Sequence, residues 1–71
     1  MMPKSLRILR TERGLTQKAL AQKAHVHPVD LSRYEGGRVT PSGPALQRLA
    51  AALGCDANDI DLEASRRQAV A

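Results

Sequence analysis

Residues 14–37, GLTQKALAQKAHVHPVDLSRYEGG, decide the fold of this chain. Two short helical patterns lie in this stretch, with a turn between them. Thr16 suits the N-cap of the first, because its hydroxyl can accept from an amide N–H of the opening turn. Gln17 to Ala24 follow, with Leu20, Ala21 and Ala24 on one helical face. Ala21 is small enough to let a second helix backbone approach closely. Pro28 suits the first turn of the second helix, where its missing N–H would have no partner in any case. That helix is expected to run to Glu35 with Leu31 and Tyr34 inward, and Gly36-Gly37 stop it. Leu20, Ala21, Val26 in the turn, and Leu31 are the positions that must be apolar for two such helices to cross steeply.

Reading outward, residues 4–13, KSLRILRTER, place Leu6, Leu9, Arg10 and Arg13 on one face of a preceding helix, with Ser5 or Pro3 at its start and Gly14 at its end. Beyond the central pair, residues 36–44, GGRVTPSGP, form the longest loop. A further helix over 44–53 turns Leu46, Leu49, Ala50 and Leu53 inward, and Gly54 closes it. Asp56 and Asp59 open a short fifth helix to Leu62, carrying Ile60. Period-2 alternation is missing throughout, so the expected class is all-α, a compact domain over residues 1–62 with helices near 4–13, 16–24, 28–35, 44–53 and 56–62. Residues 63–71 lose the pattern and are expected to be a frayed or disordered tail.

A chain of 71 residues is one domain at most, too short for a doubly wound sheet, a barrel or an interdomain cleft. With one Tyr and no Phe or Trp, it has no aromatic platform on which to stack single-stranded bases. Cys55 is the lone cysteine, so no intrachain disulfide forms, and one Cys with two His does not complete a structural zinc site. No apolar run is long enough to span a bilayer and no signal-type segment follows Met1, so a cytoplasmic protein without a membrane partner is expected. Neither a Ser-His-Asp set, a Gly-rich phosphate loop nor a paired-carboxylate cleft is present; no enzyme and no cofactor are expected. Residues 1–48 carry nine Lys or Arg against Glu12, Asp30 and Glu35, a net +6, whereas residues 49–71 carry Arg66 and Arg67 against Asp56, Asp59, Asp61 and Glu63, a net −2. A basic front of this kind attracts polyanions, nucleic acid above all, or it simply solvates the surface; charge alone leaves both open.

The two central helices make a helix-turn-helix. Gly14-Leu15-Thr16-Gln17-Lys18-Ala19-Leu20-Ala21, Leu31-Ser32-Arg33-Tyr34-Glu35-Gly36-Gly37, Pro41, and Leu46 through Gly54 resemble the phage-repressor and Cro-type, or Xre-like, helix-turn-helix domains. Leu6, Leu9, Arg10 and Arg13 also fall where that family's first helix has them, so the resemblance covers about residues 5–62. It implies a five-helix domain that binds duplex DNA in a sequence-specific way, usually as a dimer, to regulate transcription, with repression the expected effect.

By the resemblance, Gln17 bonds a DNA phosphate and braces the recognition helix, with Lys18 beside it. The recognition helix starts at Pro28 and presents His27, Val29, Ser32 and Arg33 to the groove. Arg33 has the planar fork that grips guanine O6 and N7; a phosphate contact or a surface salt bridge is its other reading. Arg38 and Thr40 match backbone-contacting positions in the following loop. Arg10 and Glu35 match an ion pair tying the first helix to the end of the recognition helix. Two departures stand out. Pro28 replaces a polar, base-reading residue, and His25 stands where the family commonly has a turn glycine. Cys55 reads as a half-buried filler, and His25 with His27 lacks a third metal ligand. A homodimer is expected to form through Leu53, Ile60 and Leu62. The alternative role is that of an antitoxin-like or accessory subunit, which binds DNA and holds a protein partner through its acidic C-terminal third.

Overall fold

The computed structural model describes residues 3–64. Its order is α1 (Leu6–Glu12), α2 (Gln17–Ala24), α3 (Pro28–Glu35) and α4 (Gly43–Leu53), followed by a 3-10 turn over Ala57–Asp59. Each α-helix is opened by a side chain. Ser5, Thr16, His27 and Ser42 accept from the amide N–H of Ile8, Ala19, Val29 and Ala45, at 3.0 to 3.3 Å. Ser5 is fully buried, and its hydroxyl finds its partner in this cap.

All four helices also close in one way. The residue after each helix end, or one further on, is left-handed: Gly14, His25, Gly37 and Gly54, at φ of 57 to 73°. The next amide reaches back five residues, Leu15 to Arg10, Val26 to Ala21, Arg38 to Arg33 and Cys55 to Ala50, at 3.0 to 3.2 Å. This is the Schellman arrangement, in which a reversed chain supplies the unpaired carbonyls of the last turn. Leu15, Val26 and Cys55, the residues that follow three of these turns, fold back against the core. Glycine suits a left-handed backbone and histidine does not, so His25 (φ 57°, ψ 42°) holds the turn of the central motif at a cost of about 1 kcal/mol.

The core gathers Leu6, Leu9, Leu20, Ala21, Ala24, Leu31, Leu49, Ala50, Leu53 and Ile60. Leu20, Ala21 and Leu31 are completely buried, and Ala21 gives the steep α2–α3 crossing its close approach.

The expected fifth helix over 56–62 is not continuous. The chain makes a three-residue 3-10 turn, extends at Ile60, and resumes helix at Leu62. The cause is a pair of backbone bonds to the N-terminal segment, Lys4 N–H to Asp59 O (3.1 Å) and Asp61 N–H to Lys4 O (2.8 Å). These bonds form an isolated parallel bridge between Lys4 and Ile60, which pulls Ile60 into the core and breaks the helical path. The first helix likewise begins at Leu6 rather than at residue 4, because Lys4 is extended in that bridge. The tail expected over 63–71 lies outside the described residues from position 65 onward.

Candidate nucleic-acid interface

The outer surface of α3 follows from its period. Leu31 and Glu35 lie one turn apart and are buried, with Tyr34 half-buried beside them. Val29, Ser32 and Arg33 therefore fall on the opposite side and are exposed. Val29 is 49% exposed, an unusual position for a β-branched apolar residue with no packing role. The Arg33 guanidinium lies 3.9 Å from the Asp30 carboxylate, with both side chains about half exposed, and such a loose solvent-facing pair contributes little.

Both ends of α3 are held. At the start, His27 Nδ1 accepts from the Val29 amide at 3.1 Å. The accepting nitrogen bears no proton, so the ring carries its N–H on Nε2 and can donate from there. The resemblance had suggested only a groove-facing contact for His27; the cap is an additional duty, visible in the sequence only as a non-proline residue preceding Pro28. Pro28 itself is exposed at the first helical position.

At its far end, α3 is anchored through Glu35. The carboxylate accepts from Arg10 Nε (2.7 Å), Arg10 Nη2 (3.2 Å) and Gln17 Nε2 (3.1 Å). Arg10 Nη1 donates to the Leu15 carbonyl at 2.7 Å, so the guanidinium joins α1, the α1–α2 turn and α3. The side chains of Arg10 and Glu35 are 13% and 4% exposed. This forked, desolvated geometry suits an arginine, whereas a lysine would supply only a point charge. Gln17 uses one amide proton here and keeps the other, so bracing and a phosphate bond are compatible.

Lys18 is exposed on α2, and Arg38 and Thr40 are exposed in the loop after α3. The Arg38 amide bonds the Arg33 carbonyl at 3.1 Å, which fixes this loop against the end of α3. Thr40 takes part in an interaction of its own. Arg13, expected only on the common face of the first helix, donates from Nε to the Leu53 carbonyl and from Nη1 to the Leu9 carbonyl at 3.1 Å. It thereby locks the end of α4 to α1. Its place beside Leu6, Leu9 and Arg10 on the first helical face was the available signal, although the side chain stays one-third exposed.

No group of three or more potential metal ligands occurs among the described residues. Burial raises the pKa of the Cys55 thiol, with Arg13 opposing and Asp59 and Asp56 adding to the rise.

The paired helices, their tight turn and the exposed outer side of α3 match a family model described as a helix-turn-helix domain, over residues 5–62. The chain belongs to the helix-turn-helix domain family. An HTH-type transcriptional regulator, DdrOP3, of Deinococcus deserti is 44% identical over 55 residues, covering 78% of this chain and 43% of the relative. Multiprotein-bridging factor 1 of Candida albicans is 41% identical over 51 residues, 72% of this chain and 34% of the relative. The protein of the same name in Candida glabrata is 37% identical over the same shares. This chain thus spans 34 to 43% of the length of these curated relatives. No solved structure gives a significant match. Among the described residues, no helix is long and apolar enough to cross a membrane. The helix-turn-helix places Gln17, Lys18, His27, Pro28, Val29, Ser32 and Arg33 on α2, α3 and the turn between them, with Arg38 and Thr40 in the adjoining loop. Expected as the dimer surface, Leu53 and Ile60 lie elsewhere: they are 4% and 7% exposed in the core, and Leu62 is half-buried. Of that trio, Leu53 and Ile60 have little surface to offer a second copy.

Proposed function

We propose that this chain is a regulator of transcription that binds double-stranded DNA in a sequence-specific way through residues 1–62, with α3 as the recognition helix. One observation carries this reading: α3 is fixed at both ends and along its inner side, yet leaves Val29, Ser32 and Arg33 bare on its outer side. A helix held this firmly with unspent side chains is suited to reading base edges in a major groove. In this reading Arg33 grips a guanine, Val29 packs on a thymine methyl, and His27 donates to a base or a phosphate. Gln17, Lys18, Arg38 and Thr40 contact phosphates, and Pro28 sets the helix start. The name of the Deinococcus deserti relative supports regulation. The reading extends to a cytoplasmic, non-enzymatic repressor acting as a dimer on two half-sites, because one module of this size presents few contacts and a second copy doubles them.

The test is a titration against a selected duplex and its single-base variants at several salt concentrations. Affinity is expected to fall steeply with salt as phosphate counterions are released. Lys18→Ala, outside the Glu35 network, should weaken all variants by a similar factor. Arg33→Ala should cost about 1–3 kcal/mol on the preferred site and relax preference at one base pair per half-site. Equal weakening of every variant by Arg33→Ala would make Arg33 a phosphate contact. Sedimentation that shows a monomer both free and on the duplex would remove the dimer.

A second reading is an accessory or antitoxin-like subunit that binds DNA and a protein partner through Asp56, Asp59, Asp61 and Glu63. The names of the fungal relatives, multiprotein-bridging factors, favour it. Wild-type binding without salt dependence or sequence preference would remove the DNA part of both readings and leave only protein-partner binding.

A further inference from the structure

A groove on another side of the molecule is left unused by the DNA reading. The C-terminal end of α2 and the outer side of α4 flank two adjoining, open hollows of about 230 and 260 Å³, which share Lys23, Ala51 and Ala52. Alanines floor the groove, and Lys23, His25 and Arg48 rim it at one end. Arg13 lies at the other end, bonded to the Leu53 carbonyl. Among the described residues, no carboxylate and no α3 residue lines either hollow.

Helical geometry separates this groove from the reading side. Lys18 and Lys23 are five positions apart on α2, so they point about 140° from each other, on opposite flanks of the buried stripe of Leu20, Ala21 and Ala24. Lys23 is on the flank that meets α4. Unlike Lys4, which is paired with Glu12 at 2.6 Å, neither Lys23 nor Arg48 is paired with a carboxylate among the described residues.

We propose that this groove docks an acidic peptide segment of a partner protein, its carboxylates meeting Lys23 and Arg48 and its small apolar side chains lying over Ala51 and Ala52. Cationic rims on an alanine floor ask for carboxylates spaced along an apolar backbone. A nucleic-acid strand fits less well, because the floor is apolar and the groove has no aromatic residue on which to stack a base. The chain's own acidic segment, from a second copy, is also a poorer occupant. Asp59 accepts from the Asp56 amide at 3.1 Å and Asp61 from the Ala64 amide at 3.0 Å, so those carboxylates already cap their own backbone.

The test uses the full chain, labelled with nitrogen-15, and a synthetic peptide of about 12 residues built from Glu and Ala, three turns of helix if helical. Amide shifts should saturate at Lys23, Ala24, His25, Arg48, Ala51 and Ala52, and should persist when duplex DNA is bound. The same peptide with Gln for Glu should bind about five- to tenfold more weakly, as should the acidic peptide to the Lys23→Gln/Arg48→Gln double variant. That variant should keep its melting temperature and bind duplex within about twofold of wild type, apart from the small general effect of its lost charge. Shifts confined to Val29, Arg33 and Arg38, equal binding of the Gln peptide, or no shifts at all would overturn the proposal. So would the same shifts on concentrating the protein alone, which would seat a second copy in the groove. Duplex binding lost in the double variant would assign the groove to DNA and overturn it too. A wild-type chain that ignores DNA but takes the peptide would sink the DNA reading and leave this one standing.

Discussion

Glu35 is a position at which one substitution should break the fold. Its carboxylate is 4% exposed on the side-chain measure and accepts three hydrogen bonds, two from Arg10 and one from Gln17. Glu35→Ala removes all three hydrogen bonds at once. Arg10 would keep only its bond to the Leu15 carbonyl, and its charge would stay largely desolvated. Breaking a buried pair by removing one partner costs about 3–5 kcal/mol. A domain of this length holds about 4–10 kcal/mol in all, so Glu35→Ala should be unfolded or close to it at room temperature. Gln17→Ala removes one donor to the same carboxylate and should cost only about 1–2 kcal/mol. The decisive variant is the double substitution Arg10→Met/Glu35→Leu, which removes both charges. It should recover much of the loss, because apolar side chains of similar volume often replace a buried pair without penalty. Urea unfolding followed by circular dichroism measures all four proteins. A Glu35→Ala protein whose unfolding free energy lies within about 0.5 kcal/mol of wild type would show that the pair is solvated, and a double variant no better than Glu35→Ala would show that its geometry, rather than its charge, holds α3.

Arg13→Ala should lower stability by about 1–3 kcal/mol, since the Leu53 and Leu9 carbonyls lose a charged donor; thermal melting checks this. His25→Gly should raise stability by about 1 kcal/mol by relieving the left-handed backbone, seen as a melting point about 4–8 °C higher. Cys55 should react with iodoacetamide more slowly than a free thiol at pH 8. Its raised pKa keeps the folded thiol protonated where an unfolded one has begun to ionise, so stability from this group is present below the unfolded pKa and declines as pH rises through the folded one.

The sequence made the four α-helices legible because each carries its own punctuation. Ser5 and Thr16 are recognisable caps, and Gly14, Gly37 and Gly54 sit at the left-handed stops. His25 was legible as a strained turn only through the resemblance that expects glycine there. The fifth helical element is present but shorter than expected, because local signals, Asp56 and Asp59 before Ile60 and Leu62, speak for a helix to Leu62, while the bonds that interrupt it come from Lys4, more than fifty residues away. No window along the chain contains that pairing. The expected dimer surface was misplaced for a related reason. Apolar residues near the end of a chain look spare until the core they fill is seen, and Ile60 is drawn into that core by the Lys4 bridge. Arg10 and Glu35 lie 25 positions apart, and only the family pattern named them together.

The positions that hold α3 and the positions that would read DNA share a helix but not a task. Leu31 packs, Glu35 anchors one end, and the backbone of Val29 is held by His27 at the other. The side chains of Val29, Ser32 and Arg33 enter none of these contacts; the loose Arg33–Asp30 approach is the nearest they come to a structural role. Their identities are therefore free to follow a DNA sequence while the fold stays as it is. His27 is the exception. Its Nδ1 serves the helix and its Nε2–H is available to a ligand, so a change there alters the start of α3 and any contact together. The physical division between scaffold and reader therefore falls within α3, one residue into the helix on the N-terminal side, and separates opposite faces thereafter.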